Sequence, residues 1–379
     1  MTDIEQTIPS RLAARATETP FEAAHTVHRR GSLTYQEWLS RSAATARGLS
    51  DHGLGTGSRL LIPCQQVAPL DVPVLYMAIM SVGGVAILVA DDLPEPTLTD
   101  LARHLHASMV GYGSLSGHTA RSLGEGQPRR QLSAVVYPDD VAEIVVTSDP
   151  TGAPTTVQAT HENLLAKHHP ARVDRTRRTL LHGLPYGREG TQGLLISPLD
   201  GAPHRVVSVP AFSTDVLAAA IRDWRPTHIT LTPSQARILI DGLPSISNSG
   251  VDVVRVVAGH IEPEEAASLQ RLFEGCEVRV IYTRARAWPA TLSMSYDVAR
   301  PGAVGHVGDP PRARVVNDGV PVADGERGDI ELSVAGQPAR QTVDGEPIGP
   351  WVRMGDVGYV DRDGVLIVEE RAETHPTDS

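Results

Sequence analysis

AEIVVTSDPTGAPTTVQATHENL, residues 142–164, is the stretch around which the rest of the chain arranges itself. Its apolar run, Ile144 to Val146, reads as a buried strand. Thr147, Ser148, Asp149, Pro150, Thr151 and Gly152 then form a loop of small and turn-forming residues, and Thr160 or His161 opens a helix. Strand, small-residue loop and helix N-terminus are the parts from which α/β proteins build a phosphate cradle. Here the cradle is compromised. Asp149 adds a negative charge where an anion would sit, Pro150 and Pro154 remove N–H donors, and the loop holds no lysine.

Outward from this stretch, the chain alternates helices and strands. On its N-terminal side Ser10 to Thr17 forms a short helix. Thr34, with Glu37 three residues on, forms a capping box that opens a helix from Tyr35 to His52. Arg59 to Cys64 and Val85 to Val89 are buried strands that flank an apolar helix, Pro69 to Gly83. A helix from Leu98 to His106 precedes a short strand at Met109. On the C-terminal side, βα units continue through Leu180 to Leu184, Val206 to Val209, His228 to Leu231, Val253 to Ala258 and Val278 to Tyr282. This alternation points to parallel sheets covered on both faces. After Pro289, short alternating runs separated by Gly, Pro and Asp indicate a small antiparallel β unit.

Composition narrows the function classes. The 379 residues suffice for two or three subdomains. A net charge of −11 argues against a nucleic-acid partner. No apolar run is long enough to span a membrane, and the polar N-terminus is unlike a signal peptide. Two isolated cysteines, Cys64 and Cys276, fit free thiols in a cytoplasmic protein. Lys167 is the only lysine, so any chemistry that needs one has a single candidate. The basic run Arg172 to Arg178 reads as a solvated surface. No other familiar catalytic motif is present, and the adjacent pair His168-His169 diverges too much to share a metal.

In this order the elements resemble the large N-terminal domain of the adenylate-forming superfamily, which comprises acyl-CoA synthetases, peptide-synthetase adenylation domains and luciferases. The family loop T-S-G-T-T-G-x-P-K-G-V followed by T-H-x-N-L reads here T-S-D-P-T-G-A-P-T-T-V, then T-H-E-N-L. Leu184 to Arg188 is similar to L-P-x-x-H, and Tyr282 to Arg286 falls at Y-G-x-T-E. Trp351 to Asp356 resembles W-x-x-T-G-D, and Glu370 to Thr374 sits at the hinge motif G-R-x-K-D. The resemblance implies an α/β fold: two helix-covered, mostly parallel sheets plus a small distorted β-barrel. The expected divisions are residues 1–133, a second α/β part at 134–295 carrying the degenerate loop 147–157, a β-rich part at 296–371, and a tail at 372–379.

Departures from the family pattern bear on function. Thr155 stands at the phosphate-loop lysine, and Asp149 at a loop glycine. Arg286 stands at the glutamate that helps to bind Mg²⁺ in the family, and a guanidinium cannot ligate a metal. The family's small C-terminal domain carries the lysine that drives adenylation. The sequence stops at Ser379, a few residues past the hinge position, so that domain is expected to be missing. Groups of this kind stabilise transition-state charge, and each loss is expected to cost orders of magnitude in rate. The resemblance also carries over a residual nucleotide site: Thr147, Ser148, Asp149, Thr151, Gly152 and Thr155 from the loop, Asp356 at the ribose aspartate and Arg371 at the hinge arginine.

Candidate chemistry converges where the resemblance places the acyl pocket, at the carboxyl ends of the parallel strands. His260 and Glu189 offer acid–base groups, while Arg188 and Arg286 offer anion binding; these four are the catalytic candidates. Tyr186, Tyr282, Arg284 and Gly259 are the substrate-binding candidates. Asp149 paired with Arg286 or Arg284 would fill a vacated ATP site, and His161 is expected to cap or pack. The preferred expectation is a protein acting on an acyl or aryl substrate without ATP, Mg²⁺ or another cofactor. Its substrate would be CoA- or carrier-protein-bound, and its reaction a cyclisation, condensation, acyl transfer or hydrolysis in specialised biosynthesis. Two alternatives stay open: a non-catalytic scaffold that binds an acyl carrier protein or a pathway enzyme, and a split ligase completed in trans.

Overall fold

The computed structural model describes residues 7–371 except 91–92, 110–114, 116–117, 130–134, 149–153, 166–176, 185, 188–191, 200–201, 203, 210–211, 244–245, 247–248, 285–286, 289, 310, 335–339 and 342–344. Three principal sheets organise these residues.

A five-stranded sheet runs Ala107–Met109, Arg59–Pro63, Val85–Val89, Val141–Ser148 and Pro154–Thr160, parallel until its last, antiparallel member. An eight-stranded sheet runs Leu292–Ser295, Glu277–Tyr282, Val253–Val256, His228–Leu231, Thr179–His182, Arg205–Ser208, Ala23–Val27 and Gly31–Thr34. Its two edge strands are antiparallel to their neighbours, and the interior pairs are parallel. The third sheet has six antiparallel strands drawn from Ala303–His306 onward.

Local chemistry explains the elements. Thr34 Oγ1 accepts from the Glu37 amide while the Glu37 carboxylate accepts from the Thr34 amide, which starts the helix Tyr35–Asp51. That helix buries Trp38, whose indole donates to Pro73 O at 2.8 Å. Gly48 is required on the same helix, because an added Cβ would stand 2.0 Å from Leu123 O. Val85–Val89 is buried at every position, as a central parallel strand should be.

The stretch 142–164 folds differently from expectation at one point. No helix directly follows its loop. The chain leaves Val141–Ser148 and returns as Pro154–Thr160, an antiparallel hairpin with Ser148 opposite Pro154. Proline is tolerated as the first residue of that strand, and the β-branched Thr155, Thr156 and Val157 favour extended backbone. The expected helix follows one strand later at His161–Leu165, where Thr160 and Asn163 satisfy each other's amides. His161 packs rather than protrudes: its Nδ1 accepts the Ile8 amide at 3.3 Å, and burial lowers its pKa to about 3.

The hairpin joins the first sheet, and Ala23–Val27 with Gly31–Thr34 join the second. Sheet membership therefore interleaves along the chain. At the far edge of the eight-stranded sheet, Leu292–Ser295 hands over to the six-stranded sheet through Ala303–His306.

Candidate functional site

At that handover the described residues enclose a cavity of about 110 Å³. Two strand ends build one wall. Val253–Val256 runs out through Ala258, Gly259 and His260, and Glu277–Tyr282 runs out through Thr283 and Arg284. Ala258 takes a φ of +57°, a left-handed conformation that strains a side-chain-bearing residue. The six-stranded sheet supplies the other wall with Gly302, Ala303, Val304, Asp356, Val368 and Glu369.

The floor is apolar: Val280, Ile281, Ile261, Ala303, Val304 and Val368. The polar features are few. Asp356 lies on the inward face of Trp351–Val360 with Val352 and Met354, because period-two alternation turns every second side chain into the core. It is only 2% exposed. Arg284 Nη2 donates to its Oδ1 at 2.7 Å, and Tyr282 Oη donates to its Oδ2 at 2.8 Å. A buried carboxylate needs such partners, and here both come from the chain itself. His260 stands half exposed at the rim, its Nε2 3.7 Å from Glu262 Oε1. Glu369 is held by Arg327.

Of the residues singled out in the sequence, the fold thus brings Gly259, His260, Tyr282, Arg284 and Asp356 to one cavity. Tyr186 lies elsewhere, buried in the interior with its hydroxyl 3.3 Å from His25 Nδ1 and its ring against His182. Burial holds the His25 and His182 imidazoles down, to about 3 and about 4, so both are neutral. Arg188, Glu189, Arg286, Asp149, Thr151 and Gly152 lie outside the described residues, as do the side chains of Thr147, Ser148, Thr155 and Arg371. The pairing foreseen for Asp149 with Arg286 or Arg284 falls on such residues; Arg284 itself bonds Asp356.

Tyr296 escaped the sequence reading. It follows the edge strand Leu292–Ser295 and lines the cavity, yet its Oη, shut from solvent, finds no hydrogen-bond partner among the described residues. Nothing in the local sequence marks it. It comes to the cavity only because Leu292–Ser295 leads toward the six-stranded sheet.

Among the described residues no three His, Cys, Asp or Glu side chains are placed to hold a metal ion, and no helix is long and apolar enough to cross a membrane.

Comparison with known proteins fits this architecture. The model of the AMP-binding enzyme family matches residues 12–337, and the chain belongs to that family. The fold is that of the N-terminal domain of adenylate-forming enzymes. Its backbone is similar to O-succinylbenzoate coenzyme A synthetase from Bacillus subtilis in complex with AMP, with a TM-score of 0.82 at 18% identity, covering 95% of this chain and 78% of that one. It is also similar to the N-terminal subdomain of Klebsiella oxytoca NpsA in complex with 3-hydroxybenzoyl-AMSN, with a TM-score of 0.79 at 19% identity, covering 96% of this chain and all of that one.

Among curated proteins, the Aspergillus flavus nonribosomal peptide synthetase flvI is 30% identical over 164 residues, which are 40% of this chain and 15% of that protein. Tyrocidine synthase 3 of Brevibacillus parabrevis is 30% identical over 172 residues, 42% of this chain and 3% of its own length. The Arabidopsis thaliana 4-coumarate–CoA ligase-like 8 is 22% identical over 93% of this chain and 72% of its own length. The chain therefore spans a small fraction of the two peptide synthetases.

Proposed function

We propose that this chain handles an acyl or aryl group without ATP or Mg²⁺, the group arriving on CoA or a carrier protein in specialised biosynthesis. The observation that carries the reading is the engagement of Asp356. The carboxylate that the family resemblance assigns to ribose is instead tied to Arg284 and Tyr282. Only 2% exposed and engaged at both oxygens by groups of the chain, this carboxylate has its charge and most of its surface already taken up before any nucleotide arrives. Asp149, Thr155 and Arg286 support the same reading, because each replaces a group that the family pattern assigns to phosphate or metal. Resemblance to peptide-synthetase chains supports a carrier-bound substrate.

In this reading the reaction is a cyclisation, condensation, acyl transfer or hydrolysis. His260 supplies or takes the proton at the cavity rim, and Glu262 orients its ring. Calorimetry with Mg·ATP and with AMP should give no saturable heat, and acyl thioester should turn over with no nucleotide present. Acid-dependent exchange of pyrophosphate into ATP would overturn the proposal. Full turnover by His260→Ala would remove His260 from the chemistry.

A further inference from the structure

Toward the amino ends of its parallel strands, away from the cavity, the eight-stranded sheet gathers positive charge on a chain whose net charge is −11. Strand pairing puts it there. Arg255 stands directly beside Arg279 on the neighbouring strand, and Val253 beside Glu277. His228 stands beside Val253 on one side and Leu180 on the other. Period-two alternation therefore turns His228, Arg255 and Arg279 to one face, and Arg178, two residues before Leu180, joins them. The Arg178 amide donates to His204 Nδ1 at 3.1 Å, which closes the row. These groups lie within electrostatic reach of one another: burial, and after it Arg255, Arg178, His204 and Arg279, holds the His228 imidazole down to about 3.

Among the described residues of these strands, three guanidiniums thus share the face with one carboxylate. That carboxylate, Glu277, is held by Arg279 and by Ser295 Oγ, while Asp252 alternates to the other face. Like charges side by side on neighbouring strands repel and cost stability. The face is open to solvent here. The Glu277 and Arg279 side chains are each 35% exposed, Arg255 is half-buried, and Ser293 and Ser295, opposite Ile281 and Arg279 on the edge strand, are exposed. From Thr179–His182 to Glu277–Tyr282 the stripe crosses three strand spacings, about 14 Å, which is the rise of about ten helical residues. A longer polyanion would run onto the rest of an acidic surface and be repelled.

The geometry points to this stripe as the docking surface for a partner protein that lays an acidic helix, about three turns long, across Arg178, Arg255 and Arg279. Carboxylates at every third or fourth position of a helix lie about 5–6 Å apart on one side, close to the ~4.8 Å spacing of the strands they would cross. The repulsion among the guanidiniums turns into attraction once the helix is seated, and the acidic remainder of the chain disfavours other poses. The partner would sit beside the cavity without entering it, since Tyr282 lies three residues beyond Arg279, about 10 Å along the strand. This docking surface does not depend on the acyl chemistry proposed above.

The test uses the whole protein and a fluorescein-labelled, end-capped helical peptide that repeats Glu-Ala-Leu-Glu-Ala-Ala-Glu, with a twin in which Gln replaces every Glu. By fluorescence anisotropy in dilute salt the acidic peptide should bind saturably, at least about tenfold tighter than its twin, and about 0.5 M NaCl should weaken it at least about tenfold. Arg255→Gln combined with Arg279→Gln should weaken binding about tenfold, whereas Lys at both positions, which keeps the charge, should bind within about threefold of the parent. Arg178→Gln on a different strand should weaken it about threefold, and it carries the test if the double variant does not fold. Arg271→Gln, on the exposed side of the helix Pro263–Leu272, should change nothing. Equal binding of the Gln twin, insensitivity to salt, or parent-like binding by the neutral variants would each overturn the inference. A 12-base-pair DNA duplex that bound as tightly as the peptide would overturn the choice of an acidic helix.

Discussion

Glu143 is the second residue of the opening stretch and carries a carboxyl into the core of the five-stranded sheet. It is 1% exposed, and its described hydrogen bond comes from Tyr76 Oη, 2.5 Å from Oε2. Burial raises its pKa from 4.5 to about 7, although the Tyr76 hydrogen bond pulls the other way. The same burial, together with Glu143 itself, holds the Tyr76 phenol well above its ordinary range. Cys64, also close by, is pushed up to about 12 and stays neutral throughout.

A carboxyl that ionises later in the folded than in the unfolded chain destabilises the fold as pH rises. Below pH 4.5 both states hold the proton and no penalty exists. Between pH 4.5 and about pH 7 the unfolded state releases a proton that the folded state retains. At about 1.4 kcal/mol per pH unit the loss accumulates to about 3 kcal/mol.

Glu143→Gln removes this titration and still accepts from Tyr76. Its extra N–H adds an offset of about 1–3 kcal/mol that does not depend on pH. The diagnostic is therefore the difference in stability between variant and parent as a function of pH. Urea unfolding can be followed by circular dichroism and by tryptophan fluorescence, since Trp38 sits in the same core cluster as Tyr76. From pH 4.5 to about pH 8 the difference should shift by about 3 kcal/mol in favour of the variant. A difference that stays flat across this range would refute a protonated, buried Glu143.

Two other outcomes follow from the geometry. Arg284→Met keeps the stem but removes the positive partner of Asp356. It should lower stability by about 3 kcal/mol in thermal or urea melts, and adding Asp356→Asn should recover much of that loss, because no unpaired charge then remains. Gly48→Ala should destabilise by about 1–3 kcal/mol despite alanine's helix preference of ~1 kcal/mol, since the new methyl meets the Leu123 carbonyl; a more stable variant in a thermal melt would contradict that packing.

Element identity was largely written in local patterns. The box of Thr34 and Glu37 located a helix start, and the unbroken apolar run Val85–Val89 located a central strand. Five spaced motifs, from the loop at 147–157 to the hinge position at 370–374, were together enough to name the family. Where the reading slipped, at Pro154–Thr160, a loop composition hid a strand whose pairing with Val141–Ser148 comes from the hairpin as a whole. Side-chain periodicity could not reveal it, because Thr156 through Thr160 are all buried.

The sequence by itself determined the fold class, the family and the replacement of Asp149, Thr155 and Arg286, since each is a matter of which residue stands at which position. Tertiary structure alone decided what those positions touch. Arg284 and Asp356 are 72 residues apart in the chain and 2.7 Å apart in space, and Tyr296 gained its place only where the eight-stranded sheet meets the six-stranded one. Tyr186, close in sequence to the pocket motifs, was drawn into a buried histidine cluster instead. Hydrogen-bond satisfaction and charge pairing depend on which groups face one another after the sheets assemble, and no local pattern records that.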